Sequence, residues 1–560
     1  MSINYVWPVR GGEWKASCTA PHLFSFENLY HNYLKCRSNK RNTINALKFE
    51  ANAEENLFRL SEELQNMTYR PSRSICFVVE RPKMREIIAA DFRDRVVHHL
   101  LVGQLENIYE SVFIHDSYAC RVDKGIHRAV ERVQKFIRKG GANGNKRLYS
   151  LHLDIRNFFM TIDKEILYRM LEKKIKKNGE EYAGPLLWLA GIIVFHNPVD
   201  DAVIKGKKAL IPYLPPQKSL FHAEEGKGLP IGNLTSQFFA NVYLNALDQH
   251  IKHMLKCRFY VRYCDDLLLL DGSLEKLEAI REKIRVFVER ELLLNLNEKH
   301  GRVTTVMNGI DCLGYIVRPD YTLTRRRVVN NLKQRLDWFE KRLVADDNKD
   351  FHKISPSPSL SKRGEPKLLP KVGTVIPPLE KGDKVGFMSY AMTTVLSYDY
   401  ALIERLRAVV ASYWGHLKRA NTYWLRKALL KRYWFLEEFF SGDANMPVLT
   451  CKFRAEFPDV KSQYCYYAAH HKKCAVFFHV GSFYEIYDNE AWARRMALKQ
   501  LKKNKRGAQY GFPVKLKSKY ANILLAEGRS VVVVQETGNY NGRLKERLPV
   551  MKITKGVCHG

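Results

Sequence analysis

The chain has 560 residues, and 92 Lys+Arg against 59 Asp+Glu leave a formal charge of +33. A hydrophobic fraction of 46% with 12% aromatics supports packed cores and excludes wholesale disorder, and this length fits about three or four domains. The longest apolar run, Pro185 to Phe195, is too short for a bilayer and reads as a buried strand or helix, so neither a membrane span nor a membrane partner is expected.

MSINYVWPVRGGEWK lacks a charged segment followed by an apolar one, so no secretory signal is read there. Eleven Cys at irregular spacing fit reduced thiols better than a disulfide framework, and the expected location is cytoplasmic. The positive surplus recurs along nearly the whole chain, which points to a nucleic acid as partner.

From about 25 to 70, apolar residues at helical spacing predict two amphipathic helices. A strand follows over Ser74 to Glu80, a helix over about 94–109, and a strand over Tyr149 to Ile155 (YSLHLDI). Two more strands, Arg258 to Tyr263 and Leu267 to Asp271, flank a Cys-Asp-Asp turn. Helices are expected at about 164–176, 235–254 and 274–291. Six of the 21 Pro fall between Pro356 and Pro378, so 346–385 reads as a flexible insertion. Helical periodicity resumes at about 386 and runs to Phe440, and SGDANMP marks a boundary. Residues 445–560 carry 21 Lys+Arg against 8 Asp+Glu and contain strands at Ala475 to Val480 and Ser530 to Glu536.

Three Asp stand at strand ends: Asp154 in LHLDIRNFF, and Asp265 and Asp266 in RFYVRYCDDLLLL. Two hard cations about 3.5–4 Å apart need several carboxylates, and such a pair clamps the attacking hydroxyl and the leaving pyrophosphate of a phosphoryl transfer. A tight β-hairpin turn brings the Asp-Asp pair near a third Asp on a neighbouring strand.

With PKMREIIAADFRDRVVHHLL, DSYACRVDKGIHRAV, GLPIGNLTSQFFANVYL, LNLNEKHGRV, GIDCLGYIV and SYWGHLKRANTYWLRKALL, these blocks resemble reverse transcriptases over roughly residues 20–440. IGNLTSQ closely resembles those of diversity-generating retroelements. The resemblance implies an α+β right-hand polymerase: 1–135 N-terminal helices and fingers, 136–320 palm with some fingers elements, and 321–345 with 386–440 as helical thumb. It implies an RNA-directed DNA polymerase using two Mg²⁺ ions, for which Mn²⁺ can substitute. Template RNA, DNA or cDNA and dNTPs are the partners, with a small basic helical accessory protein as an optional one, and the source would be bacterial or phage.

By the same resemblance Asp154, the Ile155 carbonyl and Asp265 ligate metal, with Asp266 supporting the site. Phe159 matches a steric gate against a ribose 2′-hydroxyl, while Lys83 and Arg85 match cations gripping the triphosphate. Lys299 matches a lysine near the pyrophosphate. Gly232 would let the backbone approach the nascent pair, and Ile231 stands where many reverse transcriptases carry Gln, a change that accompanies error-prone synthesis opposite template adenine. A defence-associated or group II-like reverse transcriptase is the alternative, and a non-catalytic nucleic-acid-binding scaffold is a third reading.

AVFFHVGSFYEIYDNEAWARRMAL, YGFPVKLKSKYANILLAEGRSVVVVQETG and LKERLPVMKITKGV make 445–560 similar to the mismatch-recognition domain of the MutS family, a small mixed α/β module. On that match Phe483 stacks on a mispaired base and Glu485 bonds its edge. No Gly-rich phosphate loop is seen, so ATP hydrolysis is not expected.

Overall fold

The computed structural model describes residues 23–38, 43–80, 84–178, 181–298, 301–347, 393–441, 450–451, 457–500, 510–541 and 544–555. The chain divides into two compact units, Met1–Tyr321 and Thr322–Gly560. No helix among the described residues is long and apolar enough to cross a membrane.

The first unit opens with three helices where periodicity predicted two: α1 (Phe26–Arg37), α2 (Ile44–Glu50) and α3 (Ala53–Gln65). Their buried Leu29, Tyr33, Phe49, Leu57, Leu60 and Leu64 join the largest core. Strands β1 (Ile75–Val79) and β2 (Arg85–Ala89) pair antiparallel, followed by α4 (Phe92–Tyr109) and α5 (Ile126–Gly140). Next come β3 (Tyr149–Asp154), the single turn α6 (Phe158–Thr161), α7 (Lys164–Asn178) and α8 (Ala183–Phe195). The apolar run from Pro185 is thus a helix. A short β4 (Val203–Ile204) extends the β1–β2 pair in parallel with β1.

Helix α9 (Leu234–Gln249) leads to the hairpin β5 (Phe259–Tyr263) and β6 (Asp266–Asp271), then α10 (Leu274–Glu291) and β7 (Val303–Thr305). Four strands form a sheet of order β5-β6-β3-β7. Successive residues of a strand face opposite sides. Leu151 and Leu153 of β3, with Leu267 and Leu269 of β6, therefore enter the core shared with α9 and α10, while His152 and Asp154 face the other side. A further hairpin, β8 (Ile310–Cys312) and β9 (Tyr315–Val317), completes the unit.

The second unit begins with β10 (Thr322–Thr324) and α11 (Arg326–Leu343), which runs into β11 (Val344–Asp347). Residues 393–397, expected to be helical, form β12 (Thr393–Ser397), and helices follow as α12 (Tyr400–Lys418), α13 (Tyr423–Arg432) and α14 (Phe435–Phe439). Leu332, Leu336, Phe339, Leu406, Val410, Trp414 and Phe435 form their common core. Strands β13 (Phe440–Ser441) and β14 (Thr450–Cys451) pair briefly. The proposed insertion 346–385 lies almost wholly outside the described residues.

The last elements are α15 (Val460–His470), β15 (Cys474–Val480), β16 (Phe483–Ile486), α16 (Glu490–Arg495), β17 (Tyr510–Pro513), α17 (Lys517–Ala526), β18 (Ser530–Asn541) and β19 (Leu544–Lys555). They do not close on themselves. One seven-stranded sheet has the order β11-β12-β19-β18-β15-β16-β17. Strand β12 pairs antiparallel with β19 from Thr393↔Lys555 to Ser397↔Met551, so the C-terminal sheet extends beyond the segment 445–560 by two strands lying between the helices α11 and α12.

Side chains fasten the same junction. The half-buried Glu438 of α14 contacts His471 Nδ1 at 3.0 Å and Lys552 Nζ at 2.6 Å, and it accepts a bond from the Tyr398 hydroxyl at 3.2 Å. Burial alone would raise its carboxyl, but the bond from His471 and the charge of Lys552 prevail and hold it at about 2.

Candidate active site

The β5–β6 turn and the end of β3 bring the three aspartates together. Asp154 pairs in register with Asp266, and Asp265 occupies the turn between β5 and β6. Cys264 adopts φ +54°, the left-handed conformation that tightens this turn. Burial, then the charges of Asp266 and Asp154, push the Asp265 carboxyl up to about 6. Gathering carboxylates until one resists ionisation is an arrangement that a bound dication relieves, so the donor set fits a hard cation. Among the described residues, no group of three or more His, Cys, Asp or Glu stands in a metal-holding arrangement, so the three aspartates are not drawn together around an ion. Open positions in such a site belong to water and substrate phosphates.

Five residues that the strand reading passed over hold this site: Asn297, His152, Arg262, Asp248 and Asn241. Asn297 donates from its side chain to Asp154 Oδ2 at 2.7 Å and from its backbone N–H to the Asp154 carbonyl at 2.8 Å. His152 Nε2 lies 3.3 Å from Asp266 Oδ1. Burial opposes its charge, yet the bond to Asp266 and the surrounding carboxylates raise the imidazole above its ordinary value. Two-residue alternation from Asp154 would have flagged His152.

Arg262, fully buried, grips the equally buried Asp248 of α9 through Nε at 2.8 Å and Nη2 at 2.7 Å. Its Nη1 donates to Asn241 Oδ1 at 3.0 Å and to the Cys264 carbonyl at 3.1 Å. One guanidinium thus ties the Asp265 turn to the helix beneath it, a geometry that suits a planar fork.

Phe159 sits on the single turn α6, partly buried and edge-on to Phe158 at 5.5 Å. Its carbonyl accepts from Leu229 N–H at 2.7 Å, and Ile162 accepts from Gly228 at 2.8 Å, so the GLPIG loop is stitched to that turn. Ile231 and Phe159 both pack against the buried cluster of Cys76, Ile88, Met160 and Leu220, and the Ile231 carbonyl accepts from Ile88 N–H at 2.8 Å. At Gly232, with φ +133°, an added Cβ would meet Ile87 Cγ2 at 2.9 Å and the Ile88 carbonyl at 3.1 Å. The close approach that requires glycine is therefore to strand β2. Arg85 is exposed at the start of β2. Lys83 and Lys299 lie outside the described residues.

Phe483 belongs to the second unit. It opens β16 and is 45% exposed. Glu485, on the same face two residues on, is buried, and its carboxylate accepts from the Tyr487 hydroxyl. Phe483 is accessible, whereas the Glu485 carboxylate is buried and bonded to Tyr487.

A carboxylate-bearing hairpin against a third acidic strand, backed by helices, defines a polymerase palm. The family model for "Reverse transcriptase (RNA-dependent DNA polymerase)" matches residues 79–317, and that for "MutS domain I" matches 459–559. The chain thus carries a reverse transcriptase (RNA-dependent DNA polymerase) domain followed by a MutS domain I. Protein YkfC of Escherichia coli K12 is 24% identical over 326 residues, covering 52% of this chain and 79% of that protein. Group II intron-encoded protein LtrA of Lactococcus lactis is 23% identical over 331 residues, covering 48% of this chain and 50% of LtrA. The chain thus spans about half the length of that relative. Among solved structures, apo telomerase from Candida tropicalis, truncated from its C-terminal domain, aligns at a TM-score of 0.34 and 10% identity, over 45% of this chain and 55% of that one.

Proposed function

We propose that the chain copies a template RNA into cDNA with reduced fidelity opposite adenine, as the polymerase of a diversity-generating retroelement. Asp154, Asp265 and the Ile155 carbonyl would hold two Mg²⁺ ions, with Asp266 in support. Bound there, the ions stabilise the charge that develops on the attacking and leaving oxygens. Asn297 orients Asp154, and Arg262 holds the turn that presents Asp265. Arg85 and Lys83 grip the triphosphate, Lys299 stands near the pyrophosphate, and Phe159 excludes the 2′-hydroxyl. A small basic accessory protein is a further proposed partner.

The observation that carries the fidelity reading is Ile231. Its side chain lies in an apolar group with Phe159 and Ile88, in a loop bonded to both α6 and β2. A branched hydrocarbon there offers the nascent pair no hydrogen bond, so discrimination that an amide would supply is absent. Sequencing cDNA made on a defined RNA template tests this. Misincorporation concentrated at adenines, reduced several-fold by Ile231→Gln, is the expected result, and an even error spectrum unchanged by the substitution would reject it. For the C-terminal domain, we infer that Phe483 stacks where a duplex step is weakened by a mismatch or bulge.

A further inference from the structure

The hairpin β18–β19 is longer than the sheet that carries it. Strand β15 ends at Val480, two residues past its last pairing with β18 at Phe478↔Val534, whereas β18 continues to Asn541. About five residues therefore overhang the sheet, on the order of 15 Å at the rise of a strand. The overhang is shaped. Pairing shifts between Glu536 and Tyr540, around Gly538 at φ +84°, and resumes as Tyr540↔Lys545 and Asn541↔Leu544. Glu546 clasps this bulge through the Thr537 hydroxyl at 2.7 Å and the Asn539 amide at 3.2 Å. A bulge re-aims the side chains beyond it, and Tyr540 is 65% exposed.

This end of the sheet is also the one that bears Phe483. Glu536 joins the two features: it accepts from Gly481 N–H in the β15–β16 turn at 3.4 Å and pairs with Lys545 at 3.0 Å and Arg547 at 2.6 Å. On the other side of Phe483, Val514 N–H donates to the Ser482 carbonyl at 3.1 Å, and the exposed Lys515 and Lys519 follow. The described residues of the overhang, Thr537–Asn541 and Leu544–Glu546, carry one cation, Lys545, and one acid, Glu546, which is spent on clasping the bulge. A wedge-capable aromatic thus lies between lysines and a protruding ribbon that bears a second exposed aromatic, Tyr540, and a two-stranded ribbon has the width of a nucleic-acid major groove.

We propose that the β18–β19 ribbon is a second nucleic-acid contact, entering a groove of the same duplex that Phe483 engages, with Lys515 and Lys519 on its phosphates. The proposal rests on the reading of Phe483 as the base-stacking residue. Grip and selectivity then reside in different places: the ribbon and lysines hold any duplex, and Phe483 distinguishes a weakened step.

The test uses the full chain with Tyr540→p-benzoylphenylalanine, irradiated with a matched DNA duplex, a singly mismatched DNA duplex or an RNA–DNA heteroduplex at fixed salt. Lys472, before β15 at the opposite end of the sheet, receives the same substitution as control. Crosslinks from position 540 to duplex, at least about tenfold over position 472, are expected, and the duplex that gives them identifies the source of the bound groove. Their persistence in a Phe483→Ala background would uphold the ribbon even if mismatch preference, measured separately by competition, proved absent. Mismatch preference erased by Phe483→Ala, with no crosslink from position 540 to any duplex, would overturn the ribbon and leave the stacking residue standing.

Discussion

The palm sheet and the seven-stranded sheet of the second unit are built by opposite routes. In the palm, β5 and β6 are joined by a two-residue turn, and both the carboxylates and the guanidinium that steadies them lie within or beside that hairpin. In the second unit, β12 finds its partner β19 across a separation of more than 150 residues, and the join is sealed by Glu438 from a third segment. The palm concentrates its chemistry where a mutation acts on geometry; the other sheet concentrates stability where strands from two domains meet.

Asp265→Asn should have the largest effect, lowering primer extension on an RNA template by about 10⁴-fold or more. Template affinity should stay within a few-fold, because it comes mainly from phosphate contacts. Extension and gel-shift assays on one preparation would check both.

Glu438→Gln is the counterpart in the second unit. The carboxyl is held near 2, below its ordinary value of 4.5, so its contribution is complete above about pH 4.5 and is lost as pH falls through 2. The variant should be less stable by up to about 3 kcal/mol at pH 5. Melting both proteins from pH 5 down to 2 should show the gap closing, and a constant gap would contradict the ionic account.

Arg262→Lys keeps the charge and removes the fork. A loss of roughly 10- to 100-fold in kcat, with KM for dNTP changed less than about threefold, is expected from a turn that still folds but presents Asp265 loosely. A matching rise in KM would place the damage elsewhere. Smallest is Phe159→Ala, expected to relax discrimination against ribonucleotides by about tenfold in single-nucleotide competition.

The contrast in chain separation also explains what the sequence revealed. Strands β3, β5 and β6 and helices α4, α9 and α10 carry their own periodicity, so the Asp154, Asp265 and Asp266 arrangement was legible from the residues. Strand β12 was read as helix because its register is set by β19, and local spacing carries no record of so remote a partner. Gly232 was legible as a close approach but not as an approach to β2. Asn297 and Arg262 act through side-chain bonds to a backbone that only folding brings near. Glu485 was legible by motif spacing, but not its bond from the Tyr487 hydroxyl.

The pairing of Asp347 with Thr393 has a practical consequence. The chain therefore leaves β11 and returns on β12 at neighbouring positions of one antiparallel pair. Doubling the length of a flexible cassette there adds only about 0.6 kcal/mol of closure cost, and an Asn-Gly pair has the turn chemistry to join the strands directly. A flexible insert or a direct Asn-Gly turn at this port should therefore leave the register of β11 on β12 unchanged.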